Sequence, residues 1–356
     1  MEKYDIIHFE ALGAEAKHLE EETIRGQREN HLSKDLRSLV VPDTVQDFLK
    51  KNPDAVLPDI ITTKTHSVLP RDYLSGTKKN IVTRSAGYDH FEHLTDVANF
   101  ASLREYCVAA VAQTAMKFLY ATAGYLNHYT ENTRTFERNK SISFIELTSD
   151  KVATVFGLGK IGKKTYDLLA GNGLTTQGVD VRQNELDTLY NHGVKFVSKE
   201  EAIESSDIIV NTMNLTKTTG SRFFNVNYFP KEYLSQAKTG LLFINVTRGE
   251  IAPESVLLEL YDKKIIAGIG VDVFSEENIF SKIVNGQVPE KADHIAAMEM
   301  LERSCSRSAN IYIQPHQAFN SDLAAINKAR EAIRHVIAWY KNDKKRFDEQ
   351  LPYYKG

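Results

Sequence analysis

Short apolar runs rich in β-branched side chains recur along the chain, with polar, helix-compatible stretches between them. Residues 4–9 (YDIIHF), 39–41, 60–63 and 81–83 read as strands, and the acidic stretch from Ala11 to Glu22 reads as the first helix. Strands alternating with helices imply a parallel sheet, so residues 1–105 form one predicted α/β unit. From Glu105 to His128 the period changes: Val108, Val111, Ala112, Ala115, Phe118 and Leu119 recur at helical spacing. Further strands are predicted at 152–156, in a segment ending at Asp180, and at 194–196, 208–211, 241–246, 266–271 and 311–313, giving a second sheet of six or seven parallel strands. Residues 278–310 form an unusually long stretch between two strands, with a helical segment from Ala292 to Arg303. The tail from Ser321 to Tyr340 is amphipathic, with Leu323, Ile326, Ile333 and Ile337 in its apolar set, and is expected to pack back on the first unit.

One segment of this pattern carries chemistry. The strand at 152–156 runs directly into Gly157-Leu158-Gly159-Lys160-Ile161-Gly162, a helix-compatible stretch follows, and a second strand ends at Asp180, 18 positions beyond Gly162. Each part suits a dinucleotide. Gly157 permits a tight turn, Gly159 lets backbone N–H groups approach a pyrophosphate at the helix N-terminus, and Gly162 lets the helix pack closely on the strand. Gly157, Gly159, Lys160, Ile161 and Gly162 are therefore the expected cofactor-binding loop. Asp180 is placed to accept hydrogen bonds from a ribose diol, which favours NAD and repels the 2′-phosphate of NADP. Arg182, two positions on, could meet such a phosphate but is expected to be a solvated surface arginine. The fold class predicted is α/β, with two Rossmann-like domains and parallel sheets. A discontinuous substrate domain takes residues 1–105 plus 320–356, and a dinucleotide-binding domain takes 106–319.

Composition narrows the partners. At 356 residues the chain suits two domains, each large enough to bury a core. A net charge of −3 gives no general drive toward nucleic acid or an anionic membrane surface. The two cysteines, Cys107 and Cys305, have no metal-ligand spacing and fit a reducing, cytoplasmic compartment. The N-terminus lacks the cationic start and apolar core of a signal peptide, and no apolar run reaches membrane-spanning length.

In open α/β sheets, ligands bind beyond the carboxyl ends of the strands. The strand at 241–246 leads into Arg248, that at 266–271 into Asp272 and then Glu276-Glu277, and that at 311–313 into His316. An arginine, a carboxylate and a histidine thus emerge on the edge that carries the glycine loop. Such a set suits hydride chemistry on a keto acid. Arg248 can fork onto a substrate carboxylate and polarise the adjacent carbonyl. His316 can protonate the developing alkoxide and act as base in the reverse direction. A carboxylate beside it, Glu277 or its neighbour Glu276, would orient the imidazole and favour its protonated form.

With these motifs the chain resembles the D-2-hydroxyacid dehydrogenases. The glycine loop, NVTRGEI around Arg248, GVDVFSEE around Glu277 and QPHQAF around His316 all match, and the resemblance covers nearly the whole chain. The family's spacing selects Glu277 over Glu276. TRSAGYDHF is similar to the family's carboxylate-binding segment, which implies substrate contact through the Ala86 and Gly87 amides. Within the family the chain is most similar to the D-lactate dehydrogenase branch, through its long insertion after Glu277, Tyr106 at the head of YCVAAVAQT, and Phe319 as a pocket wall. Asp272 is implied on the nicotinamide side of the site. Departures are Ala252-Pro253 after RGEI, Gln113-Thr114 on the long helix, and Gln314 before Pro315; none touches the trio. The resemblance implies NAD as cofactor, no metal, reduction of pyruvate to D-lactate and a homodimer. A branched-chain or aromatic keto acid, or a dinucleotide-sensing role without turnover, are the alternatives.

Overall fold

The computed structural model describes residues 3–140 and 142–354. The chain divides into two compact units, one built from the residues up to Cys107 together with those from Asn320 onward, the other from Val108–Phe319. The first holds strands β1 (Ile6–His8), β2 (Ser38–Val40), β3 (Ile60–Thr63), β4 (Lys79–Thr83) and β5 (Ala98–Ser102), all parallel, in the order β2-β1-β3-β4-β5. Successive residues of a strand face opposite sides of a sheet, and the pattern obeys this rule. Ile6, Ile60 and Val82 join the cluster that holds Leu19, Ile333, Val336 and Trp339, whereas Ile7, Ile61 and Ile81 join the one with Phe9, Phe48 and Phe100. The amphipathic C-terminal helix, Ala324–Lys341, packs against the helix Gly13–Arg28 on the first of these faces. Strand β5 was not anticipated: Asn99 interrupts its apolar run, which an edge strand tolerates because one side meets no ladder neighbour.

The second unit is built on β6 (Val152–Phe156), β7 (Thr175–Val179), β8 (Ile208–Asn211), β9 (Leu241–Asn245), β10 (Ile266–Val271) and β11 (Ile311–Ile313). Its order is β11-β10-β9-β8-β6-β7, again all parallel. The strand expected at 194–196 is not one; Phe196 makes a single bridge to Gly178. The helix expected over 105–128 is two, Val108–Ala123 and Leu126–Asn132, broken where Tyr125 turns left-handed with φ 47°. The first of them lies close on β10, because a Cβ on Gly270 would come within 2.6 Å of the Phe118 Cβ. Parallel strands bring six carboxyl ends to one edge, and the loops at that edge carry the residues of interest.

Candidate active site

The glycine loop connects β6 to the helix Lys160–Gly171. Gly157 has φ +87°, a conformation costly for any residue with a Cβ, and its added Cβ would lie 2.8 Å from Met213. A Cβ on Gly162 would fall 1.9 Å from the Gly157 carbonyl oxygen and 2.7 Å from Thr212 Oγ1, so the helix start is pressed against the turn. Gly159 differs: nothing lies within 4 Å of its Cβ position, and no side chain caps the helix there. The loop is closely packed on its protein side and open beside the helix N-terminus, where Lys160 and Ile161 begin the first turn. That shape, with the partial positive charge of a helix start, fits a pyrophosphate.

Asp180 follows β7 at the same edge. One carboxylate oxygen accepts from the Leu158 amide at 2.8 Å, and the other accepts from the Arg182 amide at 2.8 Å. Each oxygen retains a lone pair for a hydroxyl, so the residue fits a ribose diol. Arg182 departs from expectation. Its side chain is only 11% exposed and its Nε lies 3.4 Å from Asp180, so it is paired beside the loop rather than solvated.

The chemistry-bearing side chains follow β9, β10 and β11. Arg248 is half-buried at the head of a short turn, Gly249–Ile251, and its Nη1 donates to the Thr247 carbonyl at 2.9 Å. Asn245 supports this turn by donating to the Arg248 carbonyl at 2.9 Å, and Asn211 in turn donates to Asn245 and Thr247. Gly249 packs on the neighbouring loop so tightly that a Cβ would lie 2.1 Å from the Phe274 carbonyl carbon and the Ser275 nitrogen. The Arg248 turn and the loop leading to Glu277 are thereby in backbone contact.

Glu277 opens the helix Glu277–Val284, and its Oε2 lies 2.7 Å from His316 Nδ1. Glu276 takes a left-handed conformation, φ 49°, that sends its carboxylate elsewhere, 2.6 Å from Lys291 Nζ and 3.3 Å from His294 Nε2. His316 is itself left-handed, φ 51°, and its amide donates to the Asp272 carbonyl at 2.7 Å. Its ring meets Phe319 edge-on at 6.4 Å between centroids. With Nδ1 held by a carboxylate, Nε2 is the ring atom left for proton transfer.

Asp272 has a role that sequence reasoning missed. Its carboxyl is fully buried and accepts from the amides of Gln317, at 2.8 Å, and Ala318, at 2.9 Å, and from Gln314 Nε2 at 3.1 Å. Burial pushes its acidity down, raising its pKa, while these donors pull the other way. Enclosed in this manner, it fixes the loop that carries His316. A clue stood in the sequence, since an acid ending an apolar strand must find donors.

Three expected substrate-binding residues belong to the first unit. Ala86 and Gly87 follow β4, half-buried, and among the described residues their amides have no hydrogen-bond partner. Tyr106 follows β5; its amide donates to Glu331 at 2.8 Å and its ring lies 5.0 Å from Lys328 Nζ. Burial raises the Tyr106 hydroxyl well above its ordinary range. Among the described residues no cluster of His, Cys, Asp and Glu is arranged to hold a metal ion, and no helix is long and apolar enough to cross a membrane.

Residues 116–318 match the family described as D-isomer specific 2-hydroxyacid dehydrogenase, NAD binding domain. The chain is 27% identical over 268 residues to a D-lactate dehydrogenase of Treponema pallidum (strain Nichols), covering 72% of this chain and 74% of that one. It is 29% identical over 175 residues to an aromatic 2-oxoacid reductase of Clostridium sporogenes, about half of each chain. Its fold is shared with the D-lactate dehydrogenase of Aquifex aeolicus crystallised with NAD and lactic acid. There the TM-score is 0.74 at 22% identity, over 99% of this chain and 100% of that one. D-2-hydroxyisocaproate dehydrogenase superposes with a TM-score of 0.73 at 16% identity, over 96% and 98%.

Proposed function

The chain belongs to the NAD-dependent D-isomer-specific 2-hydroxyacid dehydrogenases, and from that premise we propose that it reduces pyruvate to D-lactate with His316 as the acid–base group. The observation that carries the reading is the 2.7 Å pair of Glu277 and His316, standing at the same sheet edge as the glycine loop and the Arg248 turn. Gly157, Gly159, Lys160, Ile161, Gly162 and Asp180 would hold the dinucleotide, which would supply hydride chemistry there. Arg248 draws electron density toward the keto oxygen and binds the adjacent carboxylate. As negative charge develops on that oxygen, His316 Nε2 delivers a proton to it, and Glu277 stabilises the imidazolium that donates. In the oxidative direction His316 takes the same proton back. The Ala86 and Gly87 amides are assigned to the substrate carboxylate, and Tyr106 and Phe319 to its side chain. A cytoplasmic homodimer is proposed on the resemblance alone.

The test is NADH oxidation followed by absorbance with pyruvate, 2-ketoisocaproate and phenylpyruvate, and with NADPH in parallel. Fast turnover of pyruvate with D-lactate as product is the expected result. Preference for a bulkier acid would retain the mechanism and replace the substrate. No turnover of any keto acid, despite NADH binding, would refute the catalytic reading.

A further inference from the structure

Behind the Glu277–His316 pair lies a buried carboxyl that the mechanism above leaves unused. Glu254 opens the helix Glu254–Asp262, directly after the Arg248 turn, and is 3% exposed. Its Oε1 accepts from the Ser275 amide at 2.7 Å. Its Oε2 is buried with no partner among the described residues. A buried oxygen left unpaired costs ~1–3 kcal/mol, and an apolar side chain could fill this space without that cost. Retention of a carboxyl therefore points to what Oε1 does. It grips the loop two residues before Glu277, at the same backbone segment, Phe274–Ser275, on which Gly249 is pressed.

We infer that Glu254 is a positioning residue: its carboxylate ties the Arg248 turn to the Ser275 amide, and so sets the loop that presents Glu277 to His316. The two loops come from different strands, β9 and β10, and ladder hydrogen bonds end before either reaches its functional residue. Gly249 gives them contact but no directional bond. Glu254 supplies that bond, and the Glu277 carboxylate, which also accepts from the Phe274 amide at 3.3 Å, is placed by the same loop. Burial raises the Glu254 carboxyl to about 7, with the Ser275 amide opposing and Asp293, on the helix Ala292–Cys305, adding to the rise. The loop itself brings Glu276, engaged with Lys291 and His294, and Glu277, engaged with His316. The grip is thus charge-assisted above neutrality and weaker below it.

This inference rests on the proposed reaction, and its test separates the two. Steady-state kcat and KM for the keto acid that the wild type turns over best, and the Kd for NADH by fluorescence, are measured for Glu254→Gln and Glu254→Ala from pH 6 to 8.5. Glutamine keeps an acceptor for Ser275 but carries no charge. The expected result is a kcat loss of tenfold or more for Glu254→Ala, a smaller loss for Glu254→Gln, and NADH Kd within twofold for both. The ratio of Glu254→Gln to wild-type kcat should rise as pH falls through 7, because the wild type loses its charge and glutamine has none to lose. A pH-independent ratio, or kcat within twofold of wild type for both variants, would overturn the inference while leaving the reaction standing. Absence of turnover in the wild type would overturn the reaction and the inference with it. If Glu254→Ala fails to fold, the pH dependence of the glutamine variant decides alone.

Discussion

Glu254→Gln should make the folded protein more stable at alkaline pH, although it removes a charged hydrogen-bond acceptor. The carboxyl is held at about 7 in the folded chain against an ordinary value of 4.5, with burial as the leading cause. A carboxyl raised in this way favours folding while it is neutral. Its contribution is fully present below pH 4.5 and is lost as pH climbs through 7. Crossing from 4.5 to about 7 at ~1.4 kcal/mol for each pH unit gives about 3 kcal/mol. Glutamine reproduces the neutral state at every pH. The two proteins should therefore have similar stability at pH 5, and the variant should gain up to about 3 kcal/mol by pH 8. Urea unfolding followed by tryptophan fluorescence and circular dichroism at pH 5, 6, 7 and 8 measures the difference directly. Equal urea midpoints at pH 8, or a variant less stable there, would refute the argument, because an ionised buried carboxylate would then carry no cost. A gain in stability with a loss in kcat is the pattern expected where function holds a strained group in place.

Three further outcomes follow from the geometry. His316→Ala should lower kcat by ~10²- to 10⁴-fold while NADH affinity, read by fluorescence titration, stays near wild type; an equal loss in both would contradict its assignment as proton donor. Asp180→Ala should raise the NADPH-to-NADH ratio of kcat/KM at least tenfold, since it removes the carboxylate that would repel a 2′-phosphate and leaves the Arg182 cation, now 3.4 Å from it, beside that position. An unchanged ratio would move the ribose contact elsewhere. Gly162→Ala must displace the Gly157 carbonyl, 1.9 Å from the new Cβ, and should cost ~1–3 kcal/mol in thermal or urea stability and weaken NADH binding more than tenfold. Binding and stability that both match wild type would show that the helix start is not pressed on the turn.

What could be read before folding was local. The glycine loop was legible because strand, turn and helix start adjoin in sequence, and because Gly157 and Gly162 stand where a Cβ has no room. Strand cores were legible from alternation, as in Ile60 and Ile61, which serve opposite faces. Arg248 and His316 were legible as residues that follow apolar strands. The choice between Glu276 and Glu277 was open to the residue pattern itself and closed only by family spacing. In the folded chain the left-handed turn at Glu276 sends one carboxylate to Lys291 and the other to His316. Val194–Phe196 had a strand's composition, yet in the folded chain it meets the edge strand β7 only at Gly178, through a single bridge from Phe196.

The roles of Asp272 and Glu254 belong to tertiary structure. Their partners lie 46 and 21 residues away, at Ala318 and Ser275, and composition says nothing about which distant amides will be left unpaired. Helix and strand hydrogen bonds are set by the backbone and by side chains a few residues apart, so a sequence declares them. The loops at the carboxyl edge have no ladder to complete, and their free amides must be satisfied by whatever acid the assembled sheet brings within reach. The physical reason for the division is that one set of bonds forms within segments and the other only once the segments have met.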